Sequence, residues 1–352
     1  MHPLEIATHL FMRYELTAPV ENYFGIQALF ALAQTAVAKE DALLLDRVKN
    51  LIHRYPDEVN HPRYNFEYYR CGGNCQAYLL LIGENEQARE LIREYAEKTL
   101  AHPTDRNGIQ CMPHRPEEEK VWIDLVHTTT PFLVMAGVAL NEPRYIDYGI
   151  YQTFALYDLL EDPENHLLHQ SRGFMPDPTA ISQDHWSRGN GWGVLGLADM
   201  RQFLPKEHPQ YAAAARRLRR HMEALLPYQT RKGLWRQSIA EELAWEESSG
   251  SAMIAYGMGV GIRLGILPQE QFREPFERAL NGLIKYCIGR DFSTFRCCPG
   301  CLCPGEGAEK GTVKAYVTEK LPTTNDPHSY GPLMLAMVEA YKNGITALPE
   351  PE

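Results

Sequence analysis

The feature that most restricts the fold of this chain is a repeated pairing of helical segments, a mostly apolar one followed by a more charged one. Leu29, Phe30, Leu32, Ala33 and Ala36 lie on one stripe of 3.6-residue period, and a charged segment follows at 41–53. Short joins rich in Pro, Gly and Asn separate the segments, and strand-like alternation is scarce. Later segments repeat the scheme at 75–82 with 86–100, 121–140 with 144–160, 192–203 with 210–226, and 251–264 with 269–288.

Two stacked layers of helices, with the apolar set inside, bury such a pattern most simply. We therefore predict an all-α fold, a toroid of twelve helices that forms a single domain over residues 1–352. The terminal helices, at about 4–14 and 330–341, would pair and close the ring. The alternative is an open helical solenoid, which the absence of a residue-level repeat disfavours.

The longer connections are expected to carry function, because long loops in compact domains usually do. All of them lie between pairs or just before the first helix of a pair, so all are predicted to open on one rim. These connections are 56–73, 101–120, 161–187, 229–248 and 291–328.

Charge and hydropathy restrict the partners of the chain. Lys+Arg number 35 against 45 Asp+Glu, a formal net charge of −10, which argues against nucleic acid as the main partner. No apolar run approaches the roughly 20 residues of a membrane span. The N-terminus has no basic region followed by an apolar stretch, so we expect a cytoplasmic protein without a secretory signal.

Asp124 is the first candidate for catalysis. It stands at the start of the most apolar helical segment, where partial desolvation would raise the pKa of its carboxyl and suit it to acid/base work near neutral pH. The alternative is an ordinary carboxylate at a helix N-terminus, satisfied by backbone donors.

A second candidate is the segment 184–192 (DHWSRGNGW), directly before an apolar helix. Indole faces stack on sugar rings, arginine pairs with carboxylates, and glycine lets backbone approach a ligand. The alternative is aromatic packing at a helix start. The binding candidates are His185, Trp186, Arg188, Asn190 and Trp192, together with His169 on the preceding loop and Trp235 on a later one.

Four of the eight cysteines fall within seven residues, at 297, 298, 301 and 303. A disulfide framework is unexpected in a chain of this length without a signal peptide, which leaves a metal site, a redox pair or a thiol-rich loop. Cys298 and Cys301 have the spacing of a zinc knuckle, and Cys71 with Cys75 is a possible second half. We favour reduced, metal-free thiols, and so no cofactor.

Several of these segments occur in the same order in glycoside hydrolase families 88 and 105, the unsaturated glucuronyl and rhamnogalacturonyl hydrolases, which the chain resembles from about Glu21 to Tyr341. The Arg-Gly-x-x-Trp unit of 188–192 is the most specific element. The segments are WID at 122–124, WSRGNGW at 186–192, GLWRQ at 233–237, ESSGSAM at 247–253, and NDPH at 325–328 followed by Gly331.

The resemblance implies an (α/α)6 barrel, a six-hairpin toroid, and a distinctive reaction. Lyases leave a C4=C5 double bond in the non-reducing uronic acid of their products, and the family protonates this vinyl ether and hydrates it at C5. The hemiketal then opens and expels the next sugar of a small acidic oligosaccharide. Asp124 matches the general acid/base, Arg188 and Trp192 match residues that hold the uronate, and Trp186 and His169 match subsite residues.

The sequence departs from the family pattern at the second inner helix, where the family usually has another aspartate. The region 68–75 contains no acid, and only Asn74 and Arg70 are polar candidates for the subsite. Two alternatives therefore stay open. One is a glycosidase of different substrate, for example a saturated glycoside, with a zinc–thiolate site; a Cys-Cys-Pro run is similar to one in a β-L-arabinofuranosidase family on the same barrel. The other is a non-catalytic carbohydrate-binding member.

Overall fold

The predicted helix pairs form a closed ring in the computed structural model, which describes residues 1–20, 23–53, 73–112 and 115–352. This part of the chain contains thirteen α-helices. In chain order they are α1 (Pro3–Glu15), α2 (Tyr23–Lys39), α3 (Ala42–His53), α4 (Gly73–Leu81), α5 (Arg89–Leu100), α6 (Leu125–Leu140), α7 (Pro143–Leu160), α8 (Ser187–Phe203), α9 (Tyr211–Leu225), α10 (Ser249–Arg263), α11 (Gln269–Cys287), α12 (Val313–Glu319) and α13 (Pro327–Lys342).

Six of these helices form the inner ring. α2 packs on α4, α4 on α6, α6 on α8, α8 on α10, α10 on α13, and α13 returns to α2. The outer helices α3, α5, α7, α9 and α11 each pack on the inner helix before them, and α1 packs on α13. The all-α toroid and its closure by the terminal helices are therefore confirmed, and the open solenoid is wrong.

The division into layers follows the apolar content of the helices. Every residue of α8 from Ser187 to Arg201 is buried, as are all but two residues of α6. The outer helix α9 instead buries only five residues along one stripe and leaves its arginines toward solvent. Burial of the apolar helices away from water supplies the main driving force for this arrangement.

Helix α8 begins five residues earlier than its apolar pattern predicted, at Ser187 instead of Trp192. Glycine disfavours a helix interior, but here close packing outweighs that preference. A Cβ on Gly191 would lie 2.9 Å from Met253 Sδ, and one on Gly250 would meet the Ser187 side chain, so α8 and α10 approach closely only because both positions are glycine. Arg188 and Asn190 consequently project from the first turns of an inner helix and not from a loop.

Two short antiparallel ribbons stand in the long connections. β1 (Val121–Trp122) pairs with β2 (Ser171–Arg172), and β3 (Trp235–Arg236) pairs with β4 (Glu246–Glu247). The first ribbon fixes the segment just before Asp124.

No helix within the described ranges is both long and apolar enough to cross a bilayer.

Candidate active site

A pocket of about 360 Å³ opens where the N-terminal ends of α2, α6, α8 and α13 converge. This volume is within the range of small-molecule sites. Three of the five long connections, 101–120, 161–187 and 291–328, contribute to its wall, whereas 229–248 does not and most of 56–73 lies outside the described residues. Its lining residues are Tyr23, Phe24, Met112, Trp122, Asp124, Gln170, Trp186, Arg188, Gly300, Cys301, Leu302 and His328.

Asp124 lies in the wall of this pocket at the N-cap position of α6 but makes no side-chain capping hydrogen bond, which removes the ordinary explanation for a carboxylate there. Its buried Oδ2 has no hydrogen-bond partner among the described residues. Burial raises the pKa of the carboxyl from 3.8 to about 7, although the Arg188 charge opposes the shift. A proton is therefore available on this carboxyl near neutral pH.

The guanidinium of Arg188 is held by the cysteine loop, which we define as residues 297–303. Its Nη1 donates to the carbonyl oxygen of Cys298, and its Nη2 donates to that of Pro299 at 2.9 Å. The guanidinium carbon also lies 4.6 Å from the ring centroid of Trp186. The arginine is almost fully buried, so it places a desolvated positive charge in the pocket wall and fixes the cysteine loop there.

Within the cysteine loop, the Cys298 and Cys301 sulfurs lie 3.6 Å apart, and Trp186 Nε1 donates to Cys298 Sγ at 3.3 Å. Burial opposes ionisation of Cys298, but the hydrogen bond from Cys301 and the charge of Arg188 lower the pKa of its thiol below the usual value. Both cysteines are free thiols. Of these two cysteines, Cys301 lines the pocket and Cys298 does not.

His328, at the start of α13, is a pocket residue that the sequence analysis did not select. Its Nδ1 hydrogen-bonds Asp326 Oδ1 at 2.7 Å, and its Nε2 contacts the Tyr23 hydroxyl. Burial alone would raise the pKa of Asp326, but the hydrogen bonds and charge of His328 and the charge of Arg188 lower it to about 2. The Asn-Asp-Pro-His run before the last inner helix is the sequence signal that points to this residue.

Three other candidates lie deeper than predicted. Trp235 is fully buried and donates from Nε1 to Leu225 O at 2.8 Å, which makes it a core residue and not part of the wall described above. Trp192 is buried behind the pocket and stacks on His127, with ring centroids 4.9 Å apart. Asn190 is buried and exchanges two hydrogen bonds with the backbone of Leu168, so it fixes the segment that leads to His169.

His169 and His185 do not line the described pocket, although each is adjacent in sequence to a lining residue. Both side chains turn to Asp162: His185 Nε2 lies 2.9 Å and His169 Nε2 lies 3.9 Å from Asp162 Oδ2. The two imidazole centroids are 4.8 Å apart. Burial lowers the pKa of both histidines and so disfavours their protonated forms.

The remaining predicted residues concern the second inner helix and the zinc alternative. Asn74 is buried in the first turn of α4, and its Oδ1 has no hydrogen-bond partner among the described residues. Arg70 and Cys71 lie outside the described residues. Burial raises the pKa of Cys75 far above its usual value. Within the described ranges, no group of three potential metal ligands includes a cysteine; the group found there is Asp162 with His169 and His185.

A larger groove of about 710 Å³ lies along the 106–120 and 172–179 segments. Two of its three acidic residues are engaged in surface ion pairs, Glu119 with Arg106 and Glu118 with Lys120, and the third, Glu117, is exposed to solvent. The hydrogen bond from Lys120 lowers the pKa of Glu118, so this carboxyl cannot donate a proton near pH 7. The smaller pocket around Asp124 is therefore the candidate site.

Comparison with known proteins identifies the family and the fold of the chain. The family model for Glycosyl Hydrolase Family 88 matches residues 15–344. An unsaturated 3S-rhamnoglycuronyl hydrolase of Alteromonas sp. (strain LOR) is 25% identical over 167 residues, which are 47% of this chain and 40% of that protein. The match thus spans less than half of the length of this curated relative.

Two solved structures show the same fold. A family 105 glycoside hydrolase of C. acetobutylicum ATCC 824 superposes with a TM-score of 0.81 at 22% identity, covering 96% of this chain and 99% of that one. An unsaturated glucuronyl hydrolase of Bacillus sp. GL1 superposes with a TM-score of 0.69 at 16% identity, covering 98% and 96%. With the family model matching nearly the whole chain, the protein belongs to Glycosyl Hydrolase Family 88.

Proposed function

We propose that this protein removes a 4,5-unsaturated uronic acid from the non-reducing end of lyase-generated oligosaccharides, with Asp124 as general acid and then general base. The observation that carries the proposal is the Asp124 carboxyl itself. It lies in the pocket wall, it has a pKa of about 7, and its Oδ2 has no hydrogen-bond partner among the described residues. A carboxyl with these properties holds a proton at neutral pH and is free to transfer it.

The number of carboxylates favours hydration of a vinyl ether over attack at C1. Ordinary glycosidases use two carboxylates across the scissile bond. Among the described residues that line the pocket, Asp124 is the only acid. Hydration needs a single group: Asp124 gives its proton to C4, and the resulting carboxylate takes a proton from the water whose oxygen bonds to C5. The hemiketal so formed opens and releases the next sugar, and Asp124 ends protonated as it began.

Arg188 supplies the positive charge that an anionic sugar requires. Its two terminal nitrogens are already used by the Cys298 and Pro299 carbonyls. In this proposal it attracts the uronate carboxylate as a desolvated charge in the wall and holds the cysteine loop against the sugar, with the Trp186 ring beside it as a stacking surface.

The test is the ultraviolet absorbance of the vinyl chromophore, followed over a panel of lyase-generated disaccharides. The wild-type protein is expected to remove the absorbance, and Asp124→Asn to stop this loss. Asp199→Asn is the matched control, because Asp199 is a buried carboxyl on α8, outside the pocket lining, with a pKa also raised by burial to about 7. An unchanged rate in Asp124→Asn would remove Asp124 from the mechanism.

The alternative function is hydrolysis of a saturated glycoside. One observation supports it: the cysteine loop forms one side of the pocket and contributes Cys301 to its lining. Turnover of saturated chromogenic glycosides, with none of the unsaturated disaccharides, would favour this alternative. Thermal stabilisation by the disaccharides without any turnover would instead support a binding protein.

A further inference from the structure

A cluster of two histidines and one aspartate lies outside the pocket lining, each histidine adjacent in sequence to a lining residue, and takes no part in the proposed reaction. The ligand-type atoms of Asp162, His169 and His185 all lie within 4.8 Å of one another. The three side chains are partly buried, with exposed fractions of 15%, 19% and 12%. They are thus shielded by the protein on one side and reachable from solvent on the other.

The backbone fixes these three residues before any ligand arrives. Asp162 and His169 stand in a tight hairpin, in which Asp162 N donates to Leu167 O at 2.8 Å and His169 N donates to Leu160 O at 2.9 Å. His185 is fixed from the other side, because its carbonyl oxygen accepts from Ile239 N at 2.9 Å. Preorganised ligands of this kind avoid the cost of ordering side chains on binding.

Hydrogen bonds outside the cluster orient its ligand atoms inward. His169 Nδ1 donates to the carbonyl oxygen of Asp184 at 3.2 Å, which leaves the lone pair of Nε2 facing the cluster. A second ring nitrogen held by a backbone carbonyl is the usual arrangement of a metal-binding histidine. Asp162 is held in turn, since its Oδ1 accepts from Glu164 N at 2.9 Å and its Oδ2 from Asn165 Nδ2 at 3.0 Å.

The spacing of the ligand atoms fits a small transition-metal ion. Ligands about 2 Å from a tetrahedral zinc ion lie roughly 3.3 Å apart. The distances from Asp162 Oδ2 to the two Nε2 atoms, 2.9 Å to His185 and 3.9 Å to His169, fall on either side of that value. Two imidazoles with one carboxylate suit zinc and its neighbours, whereas magnesium and calcium prefer oxygen ligands.

We infer that Asp162, His169 and His185 form a binding site for a divalent transition-metal ion of the zinc class, with water completing the coordination on the exposed side. The bound ion would join the 162–169 hairpin to the segment that carries His185. Each histidine precedes a lining residue, Gln170 and Trp186, so the ion would stiffen the pocket wall at these two positions. This inference makes metal ligands of His169, which the family resemblance matches to a subsite residue, and of His185, which the sequence pattern alone suggested for sugar binding.

The experiment is titration of the chelator-treated, full-length protein with zinc, read by calorimetry and by thermal unfolding, and with cobalt, read by its visible spectrum. His185→Gln and His169→Asn are the test variants. Gln at 185 can still donate to Asp162, and Asn at 169 can still donate to the Asp184 carbonyl, so both are designed to fold. His208→Gln is the matched control, because His208 Nε2 pairs with Asp147 Oδ1 at 3.1 Å without a third ligand in the described chain.

We expect one zinc ion per chain and a zinc-dependent rise in melting temperature in the wild type and His208→Gln. Each test variant should bind zinc on the order of tenfold more weakly or worse, the size of loss that follows even from removal of a supporting residue. The cobalt spectrum should lack an intense sulfur-to-metal band. The inference is overturned if zinc does not bind stoichiometrically, if both variants bind it as the wild type does, or if the spectrum places the metal on the thiols. None of these readouts depends on turnover of any sugar.

Discussion

Replacement of Asp124 by asparagine should stabilise the protein while it abolishes activity, and the gain should depend on pH. The folded state raises the pKa of this carboxyl from 3.8 to about 7, so folding opposes its ionisation. The resulting loss of stability is absent below pH 3.8, grows as pH rises from 3.8 to about 7, and is complete above about 7. An asparagine cannot ionise, so it removes this loss.

The magnitude follows from the two pKa values. Because folding raises the pKa of Asp124 by about three units, ionisation of this carboxyl lowers the free energy of unfolding by about 4 kcal/mol at pH 8. At pH 5 the loss is less than half of that. The asparagine amide is also desolvated, which reduces both gains by a similar amount. The difference between the gains at pH 8 and pH 5 therefore tests the reasoning best, and it should be about 2–3 kcal/mol.

The assay is urea unfolding of wild type and Asp124→Asn at pH 5 and pH 8, followed by tryptophan fluorescence. Asp199→Asn should show a gain of the same sign, because burial also raises the pKa of Asp199 to about 7, but it should keep the enzymatic activity. An equal gain at both pH values in Asp124→Asn would mean that the folded protein does not raise the pKa of Asp124. The assignment of this residue as a neutral-pH acid would then be wrong.

Three further predictions concern the same pocket. In the wild type, kcat/KM for the unsaturated disaccharide should be level below about pH 7 and fall above it, because Asp124 must begin protonated; a profile level up to pH 9 would contradict this. Arg188→Lys should lower kcat/KM on the order of 10²-fold despite the retained charge, since an ammonium cannot hold the Cys298 and Pro299 carbonyls together; near-wild-type kinetics would reduce its role to charge alone. Trp235→Phe should lower stability by about 1–3 kcal/mol through loss of the bond to Leu225 O and of packing volume. It should leave KM unchanged, and a raised KM would return Trp235 to the subsite.

Local pattern was sufficient to predict the architecture. The apolar stripe of α2 and the almost wholly apolar α6 each indicate a helix and its layer within one segment. Helix hydrogen bonds join residues four apart, so a short window contains the information that specifies them. The same holds for Asp124, because its place before an apolar helix already implied desolvation and a raised pKa.

Only the closed ring decided which side chains meet. His328 reaches Tyr23 across 305 residues, and Arg188 reaches the cysteine loop across more than a hundred. Packing of the ring buries Trp192 and Trp235 in the core, although their residue type and motif suggested sugar stacking. It also places the side chains of His169 and His185 next to Asp162 and outside the pocket lining. Residue type and periodicity describe what a side chain can do. Whether it faces sugar, solvent or a neighbour depends on contacts between distant segments, which exist only once the helices have packed.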